Sequence, residues 1–526
     1  MINLKLNSHF ETELKLHVSQ TGCASFEKAL KRGAVQTIHL RAMYFDTPQR
    51  HLARQKVALR LRLENEQWVQ TLKMSGGDST LTRIELNHLR PNPALDLAVY
   101  TGTPAESIIA KLGNPLTVTY EVQVLRLMRQ SRTPSGTVEI AYDTGFIRSG
   151  ELELPLREVE FELKRGQIGA LFSMAGKWQR DHGLVMDARS KSERGDLLAQ
   201  MGLKLAALAQ TQGDGDVVNA KAKQIETYWA PRNTKAVKLM PGMSAGQALR
   251  VVMAECLDQI VRNAAVLAEI DTQGVYRLDT TEHVHQLRVG IRRMRTAWSV
   301  FNGLCTLPPE AQRFEVKKHF SRLGGSRDNQ VLFNDLLPVL QAAGQPALVF
   351  ETQAIADDAS EVAKDPLFQS WLLDMCEFVN TAPLPIPPLP PAEEGPTTPR
   401  VKKLLLTKLH KWHRKIVRDG VQFATLEIQA RHDLRKRVKK LRYAMQFTDA
   451  LLPEKALSAY LKALSQVQNI LGDMNDLYTA LEKFSLLRDT QPSAWFACGW
   501  ITHKLDLLQT DAVTAFQKLS KDSYWD

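Results

Sequence analysis

The sequence predicts an α+β protein of two domains, an antiparallel β-domain followed by an all-α domain. Up to about residue 200, charged and apolar residues alternate in short runs, which is the period of a half-buried strand. Beyond residue 245, apolar residues recur at steps of three and four, which is the period of an amphipathic helix. One helical segment also occurs twice, so the second half of the chain predicts a duplicated helical bundle.

Size and charge narrow the classes of function. A chain of 526 residues can form two or more domains, each with its own core. Its 68 Lys and Arg against 57 Asp and Glu give a net charge of +11, which favours a polyanionic partner. No apolar run reaches the roughly 18–20 residues that span a bilayer, and the N-terminus lacks a signal-peptide pattern. The five scattered cysteines predict reduced thiols in a cytoplasmic protein.

The first predicted strand, residues 9–15, carries its charges on one face. Glu11, Glu13 and Lys15 stand two residues apart, and successive side chains of a strand point to opposite faces. Similar alternation predicts seven further strands at 43–48, 57–64, 68–73, 81–86, 117–129, 138–143 and 158–164.

A solvated charged face is the ordinary explanation of such alternation. The strands nevertheless share two separate sets of charges, and closing the sheet would turn the charged face into a lumen. Carboxylates there would bind a hard cation such as Mg²⁺ or Mn²⁺, and Arg or Lys would bind phosphate oxygens. The acidic set is Glu11, Glu13, Glu139, Asp143, Glu160 and Glu162, and the basic set is Lys15, Arg60, Arg62, Lys73 and Arg126.

The order of these segments resembles the CYTH domains, also called triphosphate tunnel metalloenzymes. The family's ExExK signature matches residues 11–15, and six further blocks follow in the family's order up to Gly195. The resemblance implies an eight-stranded antiparallel tunnel that cleaves a phosphoanhydride with Mg²⁺ or Mn²⁺.

The same resemblance implies roles for single residues. The substrate-binding residues would be Lys15, Arg60, Arg62, Lys73, Arg126 and Lys191. The metal ligands would be Glu11, Glu13, Asp143, Glu160 and Glu162. The residues closest to catalysis would be Glu11, Glu13, Lys15, Lys73, Glu160 and Glu162. Two choices stay open, since Arg129 is an alternative to Arg126, and Glu158 is an alternative within the acidic triple that ends at Glu162.

The duplicated helical segment carries a basic stripe opposite an apolar one. The stripes are His285, Arg288, Arg292 and Arg295 in the first copy, and His432, Arg435, Lys439 and Arg442 in the second. A solvated surface helix is the plain alternative. A stripe without acidic partners, however, repels itself and forgoes i,i+4 salt bridges, so its recurrence at the same phase predicts a bound anion.

This repeat resembles the CHAD family of helical domains. The resemblance implies two pseudo-symmetric bundles whose basic helices line a groove for inorganic polyphosphate, with the eight stripe residues as its ligands. Nucleic acid ranks below polyphosphate as a partner, because aromatic residues are not interleaved with the stripes.

The predicted boundaries are 1–205 for the tunnel domain, 206–240 for a linker and 241–520 for the helical domain. The helical domain divides into repeats at about 241–380 and 400–520, joined by a Pro-rich connector at 382–399. From these boundaries we expect residues 1–240 to fold and to act without the helical domain.

The predicted activity is metal-dependent hydrolysis of inorganic triphosphate to pyrophosphate and phosphate. Thiamine triphosphate or a nucleoside triphosphate is an alternative substrate, and adenylate cyclase an alternative activity. A protein of a different class, which binds polyphosphate without catalysis and associates with its granules in the cytoplasm, is the further alternative.

Overall fold

The computed structural model describes residues 8–75, 81–211, 227–240, 243–271, 280–323, 331–349, 359–381, 397–452 and 454–521. They group into two compact units. The first, here called the barrel unit, comprises Met1–Arg232, Val261–His283 and Ala363–Thr381. The second, the helical unit, comprises Asn233–Ile260, Val284–Val362 and Ala382–Asp526.

Nine strands form a single sheet in the described part of the chain. They are β1 Ser8–His17, β2 Gln36–Asp46, β3 Ala58–Glu64, β4 Gln67–Ser75, β5 Thr82–Arg90, β6 Thr117–Thr133, β7 Gly136–Ser149, β8 Leu152–Gly166 and β9 Val185–Met186. Their order is β5-β4-β3-β2-β6-β7-β8-β1-β9, and β1 also pairs with β5. Strands β1 to β8 therefore close into an eight-stranded antiparallel barrel, and each overlaps one predicted strand, which confirms the predicted β-domain.

The barrel is apolar on its outer side. Leu14 and Phe161 are buried although their neighbours along the strand are charged. Helix α4, Ile168–His182, covers this side, packing on β1, β7 and β8, whereas helix α5, Lys191–Thr211, packs on β6 and β7 at the opposite face, with Leu198 in one core cluster with Tyr44 and Tyr120. The helices of the first half are α1 Cys23–Leu30, α2 His51–Arg54, α3 Glu106–Ile109, α4 Ile168–His182 and α5 Lys191–Thr211. Because α4 covers the apolar side of β1, β7 and β8, the charged side of these strands is left to face inward.

Two segments from the second half of the chain complete the barrel unit. Val266 joins a core cluster with barrel residues, as does Trp229 from the predicted linker. Helix α11, Pro366–Asn380, packs against α4, and the Gln369 side chain accepts a hydrogen bond from the Met186 backbone N–H at 2.8 Å. Residues 1–240 therefore lack part of the barrel unit, which argues against their folding alone.

The second half of the chain is helical in its described residues, as predicted. The remaining helices are α6 Ala245–Leu267, α7 Thr281–Phe301, α8 Glu310–Arg322, α9 Leu337–Ala342, α10 Ala359–Lys364, α12 Thr397–Val421, α13 Ile428–Phe447, α14 Glu454–Leu487 and α15 Ala494–Lys521. Helix α12 packs on α13 and α15, and α14 packs on the same two, so these four close into a bundle. Gly420 permits a close crossing there, because a Cβ would lie 2.2 Å from the ring of Phe516.

The two copies of the repeat lie on α7 and α13. Their apolar stripes are buried, which confirms the predicted amphipathic helices. These stripes are Leu287, Ile291, Met294 and Trp298 on α7, and Leu434, Val438, Leu441 and Met445 on α13. Residues 382–396 of the predicted Pro-rich connector lie outside the described residues, and α12 begins at Thr397. Within the described residues, none of the helices has the length and apolarity to cross a bilayer.

Candidate active site in the barrel lumen

Three ion pairs identify the face of the sheet on which the predicted charges lie. They join Lys73 to Glu11, Arg60 to Glu85 and Arg126 to Glu160, at 2.8, 3.3 and 2.8 Å. In each pair the two residues stand on strands separated by a third strand. Side chains can meet across an intervening strand only on the concave side, so these charges point into the lumen.

The strand register brings the remaining predicted residues to the same side. Cα partners on adjacent strands share a face. The relevant partners are Glu13 with Glu162, Lys15 with Glu160, Arg60 with Tyr44, Lys73 with Glu85, Arg126 with Asp143, and Glu139 with Glu162. Arg62 follows Arg60 by two residues, and Lys191 reaches the lumen from the start of α5. The structure thus brings all the residues predicted for the tunnel into one lumen.

Glu160 lies among three cations. Its carboxylate accepts from Lys15 Nζ at 2.5 Å, Lys191 Nζ at 2.8 Å and Arg126 Nη2 at 2.8 Å. Burial alone would raise the pKa of Glu160, but the three cations hold it well below its ordinary value. Burial would likewise lower the pKa of Lys15, yet Glu13 and Glu160 raise it. Both groups are therefore charged at neutral pH.

Asp143 is fully buried beside the same cations. Arg126 donates to both of its oxygens at 2.7 Å, and Lys191 Nζ lies 2.9 Å from Oδ2. Burial opposes its ionisation, but Arg126 and Lys191 lower its pKa. Both oxygens are thus engaged by basic groups, and a metal ion would have to replace one of them.

Arg62 has less compensation than the other lumen cations. It pairs with Glu64, but its Nε is buried without a hydrogen-bond partner among the described residues. Burial lowers its pKa, and Arg60 and Arg126 lower it further. The Nε of Arg60 is also buried and unpartnered within the described chain. Buried donors of this kind normally have an acceptor, so this part of the lumen fits an anion.

Carboxylates accumulate toward the strand ends that carry Glu11 and Glu162. Burial and a hydrogen bond with Glu85 raise the pKa of Glu11, while that bond together with Lys73 and Arg60 lowers the pKa of Glu85 to about 2 against the effect of burial. Burial also raises the pKa of Glu162, and Glu11 and Glu139 add to it. Burial and neighbouring carboxylates both disfavour ionisation here, so this part of the lumen is an acidic region.

This acidic region fits a hard cation. In the part of the chain that is described, no three His, Cys, Asp or Glu side chains stand as a preformed metal cage. The donor chemistry is nevertheless that of Mg²⁺ and Mn²⁺, which prefer carboxylate oxygens. A cation bound here would offset the burial and the repulsion from Glu85 that raise the pKa of Glu11.

The lumen geometry separates the alternatives that the sequence left open. Arg126 points inward, whereas Arg129 lies on the outer side, where it donates to the Leu30 carbonyl at 3.0 Å and stands over the ring of Trp178. Glu158 does face the lumen, but Lys191 at 2.5 Å and Arg194 already hold its two oxygens. Its charge is therefore compensated by fixed neighbours, whereas Glu162 pairs only with the half-exposed Lys164, at 2.9 Å, among the contacts seen.

Arg194 and Tyr44 are lumen residues that sequence reasoning did not select. Arg194 follows Lys191 by three residues, and this helical spacing places both on one face, so the signal was present in the sequence. The Tyr44 hydroxyl accepts a hydrogen bond from Arg60 at 3.3 Å. Its ring stacks on Tyr120 at 4.6 Å, and both rings belong to the apolar cluster that contains Trp229. The lumen is thus polar along one part and apolar along the next.

The basic stripe of α7 is packed against an aromatic ring. The guanidinium carbons of Arg288, Arg292 and Arg295 lie 4.7, 5.2 and 5.8 Å from the centre of the Phe320 ring. Arg288 also donates to the Leu323 carbonyl, and His285 belongs to the same half-buried row. The stripe is therefore not a freely solvated face.

The stripe of α13 lies within electrostatic reach of the first. Burial lowers the pKa of Lys439 to about 7, and Arg435 and Arg292 contribute to the shift. Asp476 lies 3.8 Å from Arg435, and Gln468 accepts from Arg442 at 2.5 Å. At the start of the same row, His432 shares a hydrogen bond of 2.9 Å with Asn475. The lowered pKa of Lys439 thus combines burial with repulsion from the other cations of the stripes.

Comparisons with known proteins match the two halves separately. A family profile described as CYTH domain matches residues 9–195, and one described as CHAD domain matches residues 251–484. The inorganic triphosphatase of Haemophilus influenzae is 29% identical over 198 residues, which are 36% of this chain and 54% of that protein. The chain thus spans about half the length of this relative.

Two solved structures are also similar to parts of the chain. The CHAD domain of Ricinus communis aligns with 56% of this chain and 99% of its own, at 24% identity and a TM-score of 0.43. A candidate adenylyl cyclase from Hippeastrum, described as having a dominant triphosphatase activity, aligns with 35% of this chain and 95% of its own, at 16% identity and a TM-score of 0.29.

Proposed function

Because this chain carries a CYTH domain followed in tandem by a CHAD domain, we propose that it is a metal-dependent triphosphatase. Its substrate would be inorganic triphosphate, and its products pyrophosphate and phosphate. The relative from Haemophilus influenzae supports this substrate class. The observation that carries the proposal is the under-compensated guanidinium of Arg62, which lies beside Arg60 and Arg126 and has a lowered pKa and a buried, unpartnered Nε within the described chain.

In this proposal the lumen cations exchange carboxylates for phosphate oxygens. Without substrate, Glu160 binds three cations, Lys15, Lys191 and Arg126. Each cation would bind a phosphate oxygen instead when the substrate enters the lumen. Arg60, Arg62 and Lys73 would hold the remaining phosphoryl groups. Neutralising the triphosphate in this way lowers the repulsion that opposes attack by water, and donors fixed in advance stabilise the charge of the transition state.

The acidic region would hold the metal. Glu11, Glu13 and Glu162 supply carboxylate oxygens, and Glu160 and Asp143 would join them as substrate takes over their cations. A divalent ion bound there neutralises phosphate charge and lowers the pKa of coordinated water. The raised pKa of Glu11 and of Glu162 supports this position, because a bound cation would offset the burial and the neighbouring carboxylates that raise both values.

We expect the purified chain to release phosphate and pyrophosphate in equal amounts from tripolyphosphate, and only with Mg²⁺ or Mn²⁺ present. The Glu11→Gln variant should raise the metal concentration for half-maximal rate by about 10–100-fold, the usual cost of weakening a metal site. Phosphate release and ion chromatography of the products measure both.

Glu121→Gln is the matched control, since Glu121 pairs with Arg41 on the exposed outer side. Its metal dependence should equal that of the wild type. Absence of release at every metal concentration would favour the polyphosphate-binding protein without catalysis. Faster turnover of thiamine triphosphate or ATP, or formation of cyclic AMP, would move the assignment to those alternatives.

For the helical unit we propose binding of inorganic polyphosphate along the two stripes, which would also attach the protein to polyphosphate granules in the cytoplasm. The supporting observation is the lowered pKa of Lys439, about 7, beside Arg435 and Arg292. A bound polyanion would offset the repulsion that Arg435 and Arg292 exert on Lys439.

Affinity for long polyphosphate should fall as the pH rises from 6.5 to 8.5. Lys439 is charged below pH 7 and becomes neutral above it in the free protein, so binding at high pH must first restore its proton. We expect a loss of about ten-fold, since one hydrogen bond from a charged donor contributes about 1.5 kcal/mol.

Titration calorimetry at both pH values measures this effect. The Lys439→Arg variant keeps its charge throughout and should lose most of the pH dependence. An identical pH profile in the two proteins would exclude Lys439 from the site. Equal competition by duplex DNA would instead indicate general binding of polyanions.

A further inference from the structure

A buried network of charged side chains extends from the lumen into the interior of the barrel unit. Lys191 donates to Glu158 at 2.5 Å, and Arg194 donates to the other oxygen of Glu158. Arg194 also donates to Asp271 at 3.2 Å, and Asp271 accepts from Arg189 at 3.5 Å. All of these side chains except Lys191 are nearly inaccessible to solvent.

Asp271 comes from a distant part of the sequence. It follows α6 and lies inside the CHAD match, 76 residues beyond the end of the CYTH match at residue 195. The backbone holds both Glu269 and Asp271 at φ 61°, a conformation that costs energy in residues other than glycine. Between them Ile270 is fully buried. The local chain is thus held so that the Asp271 carboxylate lies inside the barrel unit.

We propose that Asp271 is a positioning residue for the triphosphate site, acting through Arg194 and Glu158 on Lys191. The inference rests on the proposed function of the lumen. It assigns a role in the tunnel to a residue that the sequence places in the helical domain.

The charges show why Asp271 is needed. Arg189 is paired with Asp187 at 3.0 Å, so Asp271 is the carboxylate that balances Arg194 on the side away from the lumen. Without it, Arg194 would depend on Glu158 alone, and Glu158 would be drawn away from Lys191. The Lys191 ammonium would then be held only by Asp143 and Glu160, the two carboxylates that the substrate has to displace.

We expect Asp271→Asn to raise the KM for tripolyphosphate about ten-fold and to leave the metal concentration for half-maximal rate unchanged. Displacement of a binding group by a fraction of an ångström costs roughly this much. The acidic region that would hold the metal makes no contact with Asp271 in the described structure, hence the unchanged metal dependence. Calorimetric titration of tripolyphosphate in the presence of a chelator should show the same ten-fold loss without turnover.

Asp187→Asn is the matched control, since Asp187 lies in the same network but bonds to Arg189 and not to Arg194. It should lower the melting temperature comparably while the KM stays at the wild-type value. Asp271→Glu should restore most of the KM. If Asp271→Asn does not fold, Arg194→Lys carries the test, because lysine keeps the charge but cannot bridge two carboxylates as a guanidinium does.

An unchanged KM and an unchanged binding constant in a folded Asp271→Asn or Arg194→Lys variant would overturn the proposal, as would an equal rise in KM in Asp187→Asn. If the wild-type chain binds tripolyphosphate but does not hydrolyse it, the proposed function fails. The binding measurement still tests the role of Asp271 in that case.

Discussion

Replacing Arg126 with lysine should lower kcat/KM for tripolyphosphate about 100-fold, the usual cost of removing one preorganised donor to developing charge. In the wild-type protein the Arg126 guanidinium donates hydrogen bonds to both oxygens of Asp143 and to Glu160. Lysine keeps the positive charge that these buried carboxylates require but offers no fork of donors. We therefore expect a folded protein with poor turnover, measured by steady-state kinetics and thermal unfolding.

Arg129→Lys is the control on the same strand. Arg129 lies outside the lumen, bonded to the Leu30 carbonyl and packed on Trp178. The same substitution there should lower the melting temperature slightly and change kcat/KM by less than about two-fold, as a surface change does. Equal losses of activity in the two variants would contradict the assignment of Arg126 to the substrate.

A chain that ends at residue 240 should fail to fold as a stable barrel unit. It lacks Val266 of the core cluster, Asp271 of the buried network and Gln369, the acceptor for the Met186 backbone N–H. An uncompensated buried charge alone costs about 3–5 kcal/mol, out of a total stability of about 5–15 kcal/mol. Circular dichroism and denaturant unfolding of the purified fragment measure the loss.

A chain that ends at residue 381 is the control, because it retains the three segments of the barrel unit. It should hydrolyse tripolyphosphate while its affinity for long polyphosphate falls. If the 1–240 fragment matched the full chain in melting temperature and activity, the segments Val261–His283 and Ala363–Thr381 would have no part in the tunnel.

The barrel was predictable because alternation fixes which residues share a face. In β3, strict alternation places Arg60 and Arg62 together, and β1 does the same for Glu11, Glu13 and Lys15. The choice between Arg126 and Arg129 was not predictable in this way. Three positions apart on a strand, they must face opposite sides, but only the neighbouring strand, with Asp143 opposite Arg126, identifies the lumen side.

The composition of the barrel unit was beyond sequence reasoning for a different reason. Periodicity indicates that α11 has an apolar face, but an apolar face does not specify its partner. Asp271 gives no signal either, since a single carboxylate after a helix is ordinarily solvated. Its partners Arg189 and Arg194 are more than 70 residues away in the sequence.

The paired state of the lumen cations also determines which anions can enter. Every guanidinium and ammonium group around Glu160 and Asp143 already has a carboxylate, so an incoming anion must outcompete an intramolecular partner at several positions at once. In the proposed site, sulfate or orthophosphate would bring too little charge to displace them together. A linear anion that carries several charges would displace these carboxylates at several positions at once. The barrel would thus select anions by charge density before it selects them by shape.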